Sequence, residues 1–200
     1  MDKLIFENSA YNEGFKCVCG IDEAGRGPLA GPVFAACVVL PRNVIIDGVD
    51  DSKKISAKKR ELLYDKIINE AVAYSIATAS VEEIETINIL QATFLAMKRA
   101  YDGLSVNSDI ALVDGNRSPS LPVKVVPIVK GDSISESIAS ASILAKVARD
   151  RYMLSLAEKY PEYQFEKHKG YGTKLHRQMI KEYGPCVVHR MSFLKKILDS

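Results

Sequence analysis

The sequence predicts a mixed α/β fold in which a five-stranded sheet is flanked by helices. Two apolar runs, 15–21 and 33–40, are separated by a turn rich in glycine and proline, a pattern typical of an antiparallel hairpin buried on both faces. A third strand and two further apolar runs follow, and segments of helical periodicity precede the third and the fourth strands. Because 200 residues suffice to bury one core, we expect a single domain over residues 1–200.

Each element has a local signal. The predicted strands lie at 15–21, 33–40, 74–81, 109–114 and 124–129. The predicted helices lie at about 57–72, 88–101, 133–160, 173–183 and 192–198. Ser56 is suited to cap the first helix, Gly103 follows the end of the second, and Pro161 stops the third. Small residues at 139–142 and 145 would let the third helix pack closely on the sheet.

Composition bounds the class of protein. Residues 1–150 hold 17 Lys and Arg against 20 Asp and Glu, whereas residues 151–200 hold 10 against 5, so the last quarter is basic. A basic surface beside an acidic segment suits a phosphate backbone, although a solvated helical surface gives the same count. The N-terminus lacks the pattern of a signal peptide, and the longest apolar run is too short to span a bilayer. The four cysteines have no zinc spacing. We therefore expect reduced thiols in a cytoplasmic protein.

Acidic residues recur where predicted strands end. Asp22 and Glu23 follow the first apolar run, Asp114 ends the fourth strand, and Asp132 follows the fifth after Lys130-Gly131. Two adjacent carboxylates repel unless a positive charge lies between them, and a divalent metal is the usual solution. One Asp at a strand end is more often a turn or capping residue, but the set favours a metal site. Hard oxygen ligands favour Mg²⁺ or Mn²⁺ over Zn²⁺.

Several motifs resemble the ribonuclease HII family of bacterial type, in family order from about residue 15 to 193. They are Asp-Glu-Ala-Gly-Arg-Gly-Pro at 22–28, Asp-Ser-Lys-Lys at 51–54, Val-Asp-Gly at 113–115, Lys-Gly-Asp at 130–132, Ala-Ser-Ile-Leu-Ala-Lys-Val at 141–147 and His-Lys-Gly-Tyr-Gly-Thr at 168–173. The first and last are specific. The resemblance implies a ribonuclease H-like fold, with a catalytic core over about 15–160 and a small helical C-terminal extension over about 161–200.

The resemblance also implies the metal site. Its catalytic residues and ligands would be Asp22, Glu23, Asp114 and Asp132, holding two Mn²⁺ or Mg²⁺ ions whose charge balances four carboxylates. Asp150 is the alternative to Asp132 as the fourth ligand. It lies far down the long predicted helix, where we expect it to pair with a neighbouring arginine.

Nucleic-acid contacts are implied in the same way. Backbone groups of Gly25, Arg26 and Gly27 are candidates to read a 2′-hydroxyl, and the alternative is a plain tight turn. Tyr171 resembles the family tyrosine that lies against the sugar at an RNA–DNA junction, and the alternative is a packed loop residue. Candidate phosphate contacts are Lys53 and Lys54 first, then Lys146, His168 and Lys169. Asn88 is equally a nucleic-acid contact or a helix cap.

We therefore expect a monomeric endonuclease that hydrolyses the phosphodiester 5′ of ribonucleotides, in RNA–DNA hybrids or embedded in duplex DNA. Its products would carry 3′-hydroxyl and 5′-phosphate ends, and its tasks would be removal of primers and of misincorporated ribonucleotides. One rival is another two-metal DNA nuclease or recombinase of the same fold. The other is a binding module without catalysis, which an intact set of acids disfavours.

Overall fold

The structure is a computed structural model that describes residues 3–50, 52 and 55–198. The strands are β1 (Val18–Ala24), β2 (Val33–Val39), β3 (Ala73–Ala79), β4 (Ile110–Asp114) and β5 (Lys124–Ile128). The α-helices are α1 (Ile5–Asn12), α2 (Ala57–Glu70), α3 (Val81–Asp102), α4 (Gly131–Ile134), α5 (Glu136–Lys159), α6 (Phe165–His168), α7 (Lys174–Tyr183) and α8 (Met191–Leu198). A 3₁₀ turn covers Pro161–Tyr163. The predicted contacts Lys53 and Lys54 lie outside the described residues.

The strands form one mixed sheet in the order β3-β2-β1-β4-β5. The neighbours β1 and β2 pair antiparallel, as do β2 and β3. The pairs β1–β4 and β4–β5 are parallel, which brings the carboxyl ends of three strands to one edge. The prediction of a mixed five-stranded sheet, with a hairpin made by its first two strands, is confirmed.

Helix α5 lies against β1 at very short range. Its side of the contact is built from buried small residues, including Ala139, Ser140 and Ala141, as the sequence predicts. On the strand, a Cβ at Gly20 would overlap backbone atoms of Ser137 and Ile138. The approach of α5 to the sheet therefore requires glycine at this position.

Some boundaries differ from the predictions. Helix α3 begins at Val81 rather than at 88, because Ser80 and Glu83 form a capping box at an earlier start. Asn88, with φ of 66°, then interrupts the helical backbone, and its Oδ1 caps the second half by accepting from the N–H groups of Leu90 and Gln91. The capping alternative for Asn88 is thus the one observed.

Three further features differ from the predictions. Helix α5 begins at Glu136 rather than at 133, because the separate short helix α4 occupies the preceding residues and Ser135 caps α5. Helix α1 was not predicted. Strand β1 continues to Ala24, so Asp22 and Glu23 lie inside the strand rather than after it. Antiparallel pairing with β2 extends the strand beyond the last pair with β4.

The C-terminal segment returns to the loop after β1. Thr173 caps α7 by accepting the N–H of His176, and the helix therefore starts where the sequence predicts it. His189 forms an isolated bridge with Ala30, and the N–H of Arg190 donates to the carbonyl of Leu29 at 2.8 Å. The last quarter of the chain therefore packs beside the loop that follows β1. Among the described residues, no helix is long and apolar enough to cross a membrane.

The Gly20 contact gives a test of the fold. We expect Gly20→Ala to lower the free energy of unfolding by about 3 kcal/mol or more, because the added methyl group meets backbone atoms that cannot rotate away. Gly27→Ala is the matched control, since a Cβ there meets no atom within 4 Å. Chemical denaturation measures both changes. Equal stability of the two variants would show that α5 can move away from β1.

Candidate active site

The four acidic residues named by the sequence, Asp22, Glu23, Asp114 and Asp132, gather at one edge of the sheet, here called the acidic edge. Ile21 and Val113 are the last paired residues of the parallel strands β1 and β4, and an aspartate directly follows each of them. The position of Asp22 is fixed further by its pairing with Ala36 of β2. Sheet hydrogen bonds on both sides of β1 therefore set where its carboxylates stand.

Asp132 reaches the acidic edge through a tight reversal after β5. Lys130 adopts the left-handed conformation with φ of 58°, and α4 begins at the next residue. The backbone nitrogen of Asp132 then lies 3.4 Å from Oδ1 of Asp114, and the Asp132 side chain is buried. The geometry therefore places Asp132 beside another member of the set.

Asp150 is engaged elsewhere. Its carboxylate lies 2.6 Å from Nζ of Lys146 and 3.7 Å from the guanidinium of Arg60. The expected arginine partner thus comes from α2 rather than from the same helix, and a lysine one turn earlier is the nearest cation. These two ion pairs make Asp150 the weaker candidate for the fourth ligand.

The electrostatics of the acidic edge centre on Asp22. Burial raises the pKa of Asp22 well above its ordinary value, and the neighbouring carboxylates of Glu23 and Asp114 raise it further. A hydrogen bond from the Ser142 hydroxyl and another from the N–H of Glu23, at 2.7 Å, oppose this shift. The hydroxyl of Ser142 lies in turn 2.9 Å from that of Ser52. The fold therefore holds an anionic site that a cation would relieve.

The donor chemistry of the acidic edge fits a hard divalent cation, because every side chain in the set offers carboxylate oxygens. In the part of the chain that the structure describes, however, no three His, Cys, Asp or Glu side chains converge as a finished metal site. Strand alternation explains this, since the consecutive residues Asp22 and Glu23 of β1 face opposite sides of the sheet. Binding of a cation would thus draw these side chains together.

Two cavities flank the acidic edge. A cavity of about 220 Å³, here called the glycine groove, is lined by Glu23, Ala24, Gly25, Arg26, Gly27, Ser52, Ser142, Lys146 and Tyr171. A second cavity of about 280 Å³ is lined by Glu23, Arg26, Leu90, Thr93, Phe94, Met97, Asp114, Gly115, Asn116 and Arg117. Glu23 and Arg26 line both, and Nη1 of Arg26 lies 3.3 Å from the Glu23 carboxylate. The two cavities therefore meet at the acidic edge.

Tyr171 reaches the glycine groove from the C-terminal part of the chain. The residue is 41% exposed, and its ring centre lies 5.6 Å from the Arg149 guanidinium and 5.8 Å from Nζ of Lys146, so two cations face one side chain. The structure thus brings the predicted residues Gly25, Arg26, Gly27 and Tyr171 into one cavity.

Buried histidines hold the Tyr171 loop. Nδ1 of His176 lies 3.0 Å from the Tyr171 carbonyl, and its Nε2 lies 3.1 Å from Nε2 of His189. His189 accepts the N–H of Cys186 at its Nδ1. Burial, the largest cause for both rings, lowers the pKa of each to about 4, so both are neutral at pH 7. One tautomer of each ring satisfies the whole chain of bonds, in which His176 donates to Tyr171 and His189 donates to His176.

His168 is not a phosphate contact. Its side chain is buried, Nε2 lies 2.9 Å from the Tyr163 carbonyl, and Nδ1 accepts the N–H of Gly170. Both ring nitrogens are therefore used inside the protein.

Three residues that are not among the predicted site residues also build the site: Ser142, Arg149 and Arg190. Ser142 stands within a quoted motif, yet only the fold turns its hydroxyl towards Asp22. Arg149 and Arg190 are fully buried beneath the loop after β1. A single arginine has the same sequence pattern whether it is buried or exposed, so the sequence carries no local signal for either one.

The mixed sheet with its acidic edge has clear structural relatives. The crystal structure of ribonuclease H2 from Pyrococcus horikoshii OT3 matches with a TM-score of 0.76 and 27% identity, over 92% of this chain and 98% of that one. The crystal structure of Bst-RNase HIII in complex with Mn²⁺ shares the fold at a TM-score of 0.69 and 16% identity, over 96% of this chain and 72% of that one. Fold and site together define a ribonuclease H-like nuclease.

Sequence comparison then gives the family. The model of the family described as Ribonuclease HII matches residues 19–196. A protein named Ribonuclease HII from Caldicellulosiruptor bescii is 58% identical over 193 residues, which cover 96% of this chain and 94% of that protein. The chain belongs to the ribonuclease HII family, whose members are metal-dependent endonucleases, and it is an endoribonuclease that acts on RNA–DNA hybrids.

The repulsion within the acidic edge predicts a stabilised variant. Without divalent ions at pH 7, we expect Asp22→Asn to raise the free energy of unfolding by on the order of 1–2 kcal/mol, because it removes a buried carboxylate whose pKa the folded state raises. A raised carboxyl pKa means that the folded state binds more protons than the unfolded state. The cost is therefore complete above the folded pKa and disappears as pH falls to the ordinary carboxyl value of 3.8.

Denaturation of both proteins in chelator across this pH range measures the difference. Asp102→Asn is the control, because that exposed carboxylate pairs with Lys98 at 2.6 Å, away from the acidic edge. An Asp22→Asn protein that is less stable than wild type at pH 7 would contradict the proposed repulsion.

Proposed function

We propose that this chain hydrolyses the phosphodiester bond 5′ of a ribonucleotide, both in RNA–DNA hybrids and where a ribonucleotide is embedded in duplex DNA. The products would carry 3′-hydroxyl and 5′-phosphate ends. One observation carries the proposal. Glu23 belongs to the acidic edge and also lines the glycine groove, so a sugar in the groove would lie beside the carboxylates. Chemistry and sugar recognition then act on neighbouring atoms of one nucleotide.

Two Mn²⁺ or Mg²⁺ ions would be held by Asp22, Glu23, Asp114 and Asp132. The hard-oxygen donor set and the raised pKa of Asp22 support this assignment, and the Bst-RNase HIII of related fold was solved in complex with Mn²⁺. When bound, such ions supply an activated water and offset the charge that develops on the leaving oxygen.

The chain's own residues orient the reacting groups. Ser142 and the N–H of Glu23 hold the Asp22 carboxylate in one direction. Arg26 and Lys146 line the glycine groove and offer positive charge to a phosphate. Backbone N–H groups of the Gly25–Gly27 turn would meet the 2′-hydroxyl, which both donates and accepts hydrogen bonds. The exposed ring of Tyr171 would lie against the sugar on the other side of the junction.

The rival of the same fold, a nuclease without sugar discrimination, would need no sugar-sized groove beside its carboxylates. The glycine groove favours the ribonuclease hypothesis, since it joins a glycine-rich turn, an aromatic ring and cationic side chains in one cavity. A monomeric state, a cytoplasmic location and roles in primer removal and repair of misincorporated ribonucleotides stay predictions.

Cleavage of matched duplexes tests the proposed function. The substrates are a DNA duplex that carries one ribonucleotide and the same duplex made only of DNA. With Mn²⁺ or Mg²⁺, we expect wild type to cut the first on the 5′ side of the ribonucleotide and to leave the second intact. Asp132→Asn should lower kcat by about 100-fold or more, because it removes a proposed ligand, whereas Asp150→Asn should stay within about tenfold of wild type. The reverse order would assign the fourth ligand to Asp150, and cutting of the all-DNA duplex would refute the proposed specificity.

Tyr171 should read the junction rather than support catalysis in general. We expect Tyr171→Ala to lower kcat/KM on a single embedded ribonucleotide by on the order of tenfold more than on a continuous RNA–DNA hybrid, where most scissile bonds have no deoxyribose neighbour. Tyr152→Ala is the control, because Tyr152 is similarly exposed, at 39%, but its ring packs against Phe34 and does not line the glycine groove. Equal fractional losses on the two substrates would mean that Tyr171 only maintains the loop.

A further inference from the structure

Arg190 makes an unusual set of contacts for a buried cation. Its guanidinium donates to the carbonyl of Gly25 at 2.6 Å, to that of Arg26 at 2.9 Å and twice to that of Gly31 at 2.7 and 2.9 Å. The side chain is fully buried. Burial, followed by the nearby Arg149 guanidinium, lowers the pKa of Arg190 to about 9, so the group keeps its charge at neutral pH. One side chain thus holds both ends of the loop after β1.

These contacts fix the direction of two backbone donors. A trans peptide unit is planar, so its N–H points opposite to its C=O, and the described chain contains no cis peptide bond. When the Gly25 carbonyl points at Arg190, the N–H of Arg26 points away from it. The Arg26 carbonyl fixes the N–H of Gly27 in the same way. Across the described residues, neither of these N–H groups donates to another protein group.

Arg149 is a second buried arginine that binds this loop. Its guanidinium donates to the carbonyls of Ala30 at 3.2 Å and Lys169 at 3.0 Å, and so joins the loop after β1 to the loop that carries Tyr171. A Cβ at Gly25 would overlap the Arg149 side chain. Gly25 is therefore required by the arginine packed beneath it, whereas Gly27 faces open space and leaves room for a ligand.

We propose that Arg190 is a positioning residue for substrate choice: by binding the carbonyls of Gly25 and Arg26, it aims the N–H groups of Arg26 and Gly27 into the glycine groove, where they meet the ribose hydroxyl. The proposal rests on the proposed function of that groove. Arg190 touches neither substrate nor metal ligand in this arrangement. It acts through the backbone of residues that precede it by 164 and 165 positions in the chain.

The test is the binding preference of Arg190→Lys. Lysine keeps the charge, but a single ammonium group cannot bridge three carbonyls in the geometry of a guanidinium. Both the parent and Arg190→Lys carry Asp22→Asn to prevent cleavage, and the dissociation constant is measured for duplex DNA with one ribonucleotide and for the same duplex without it. We expect the preference for the ribonucleotide to fall by on the order of tenfold, with little change for the all-DNA duplex.

Ile110→Ala is the matched control for lost stability. Ile110 is buried at the start of β4, at the far end of the strand from Asp114, and its truncation leaves the loop untouched. All proteins are compared below their unfolding transitions. A purely structural role for Arg190 would give Arg190→Lys the same preference as Ile110→Ala, and this result would overturn the inference. Absence of any preference in the parent would instead overturn the proposed function and the inference together.

A second measurement needs no variant at Arg190. In the Asp22→Asn protein, the backbone amide resonances of Arg26 and Gly27 should shift on addition of the ribonucleotide duplex and shift much less with the all-DNA duplex. Shifts of equal size with both duplexes would mean that these N–H groups do not face the hydroxyl, and would refute the proposed role of Arg190.

Discussion

The repulsion among carboxylates that the sheet fixes at one edge is the constraint on which the rest of the structure depends. Asp22 is paired with Ala36 on one side and stands next to the end of β4 on the other, so its backbone cannot retreat. Burial and two neighbouring acids make its ionised form costly. Strand pairing stabilises the sheet enough to offset the cost of the ionised Asp22. The close packing of α5 on β1 at Gly20 keeps the strand in place on the other side. Binding of a cation would lower the repulsion among these carboxylates, and the acidic edge is therefore suited to bind one.

The parts of the site that the sequence predicts are those with local signals. Apolar runs that end in an aspartate predict the acidic edge, and the glycines around Arg26 predict the turn. Both can be predicted because strands and turns are determined mainly by residues that are close together in the sequence. Arg190 carries no such signal, since its partners lie 159 to 165 residues away. The start of α3 lacks a clear sequence signal for a related reason: Asn88, with its positive φ, interrupts the helix, so the residues on its two sides do not share one helical period.

The basic C-terminal quarter also has more than one role. Its charge predicts contact with a phosphate backbone, and several of its lysines are exposed, such as Lys174 and Lys181. Arg190 belongs to the same count but is buried and bonded to backbone carbonyls. The histidines of this segment are neutral and support the Tyr171 loop. Net charge alone cannot separate residues that bind substrate from residues that shape the groove.

The acidic edge and the glycine groove are positioned in different ways, and the chemistry of each explains why. Carboxylates that bind metal ions can adjust by rotating their side chains, so a rigid sheet that fixes only their backbone is sufficient. A backbone N–H has no such freedom, because its direction is set by the peptide plane. A turn that presents N–H groups to a ligand must therefore have its carbonyls held from behind. Buried arginine suits this task, since its planar fork binds several carbonyls at once and keeps its charge when buried. The long sequence separation follows from the same requirement, because the group that holds the turn must come from an element packed beneath it.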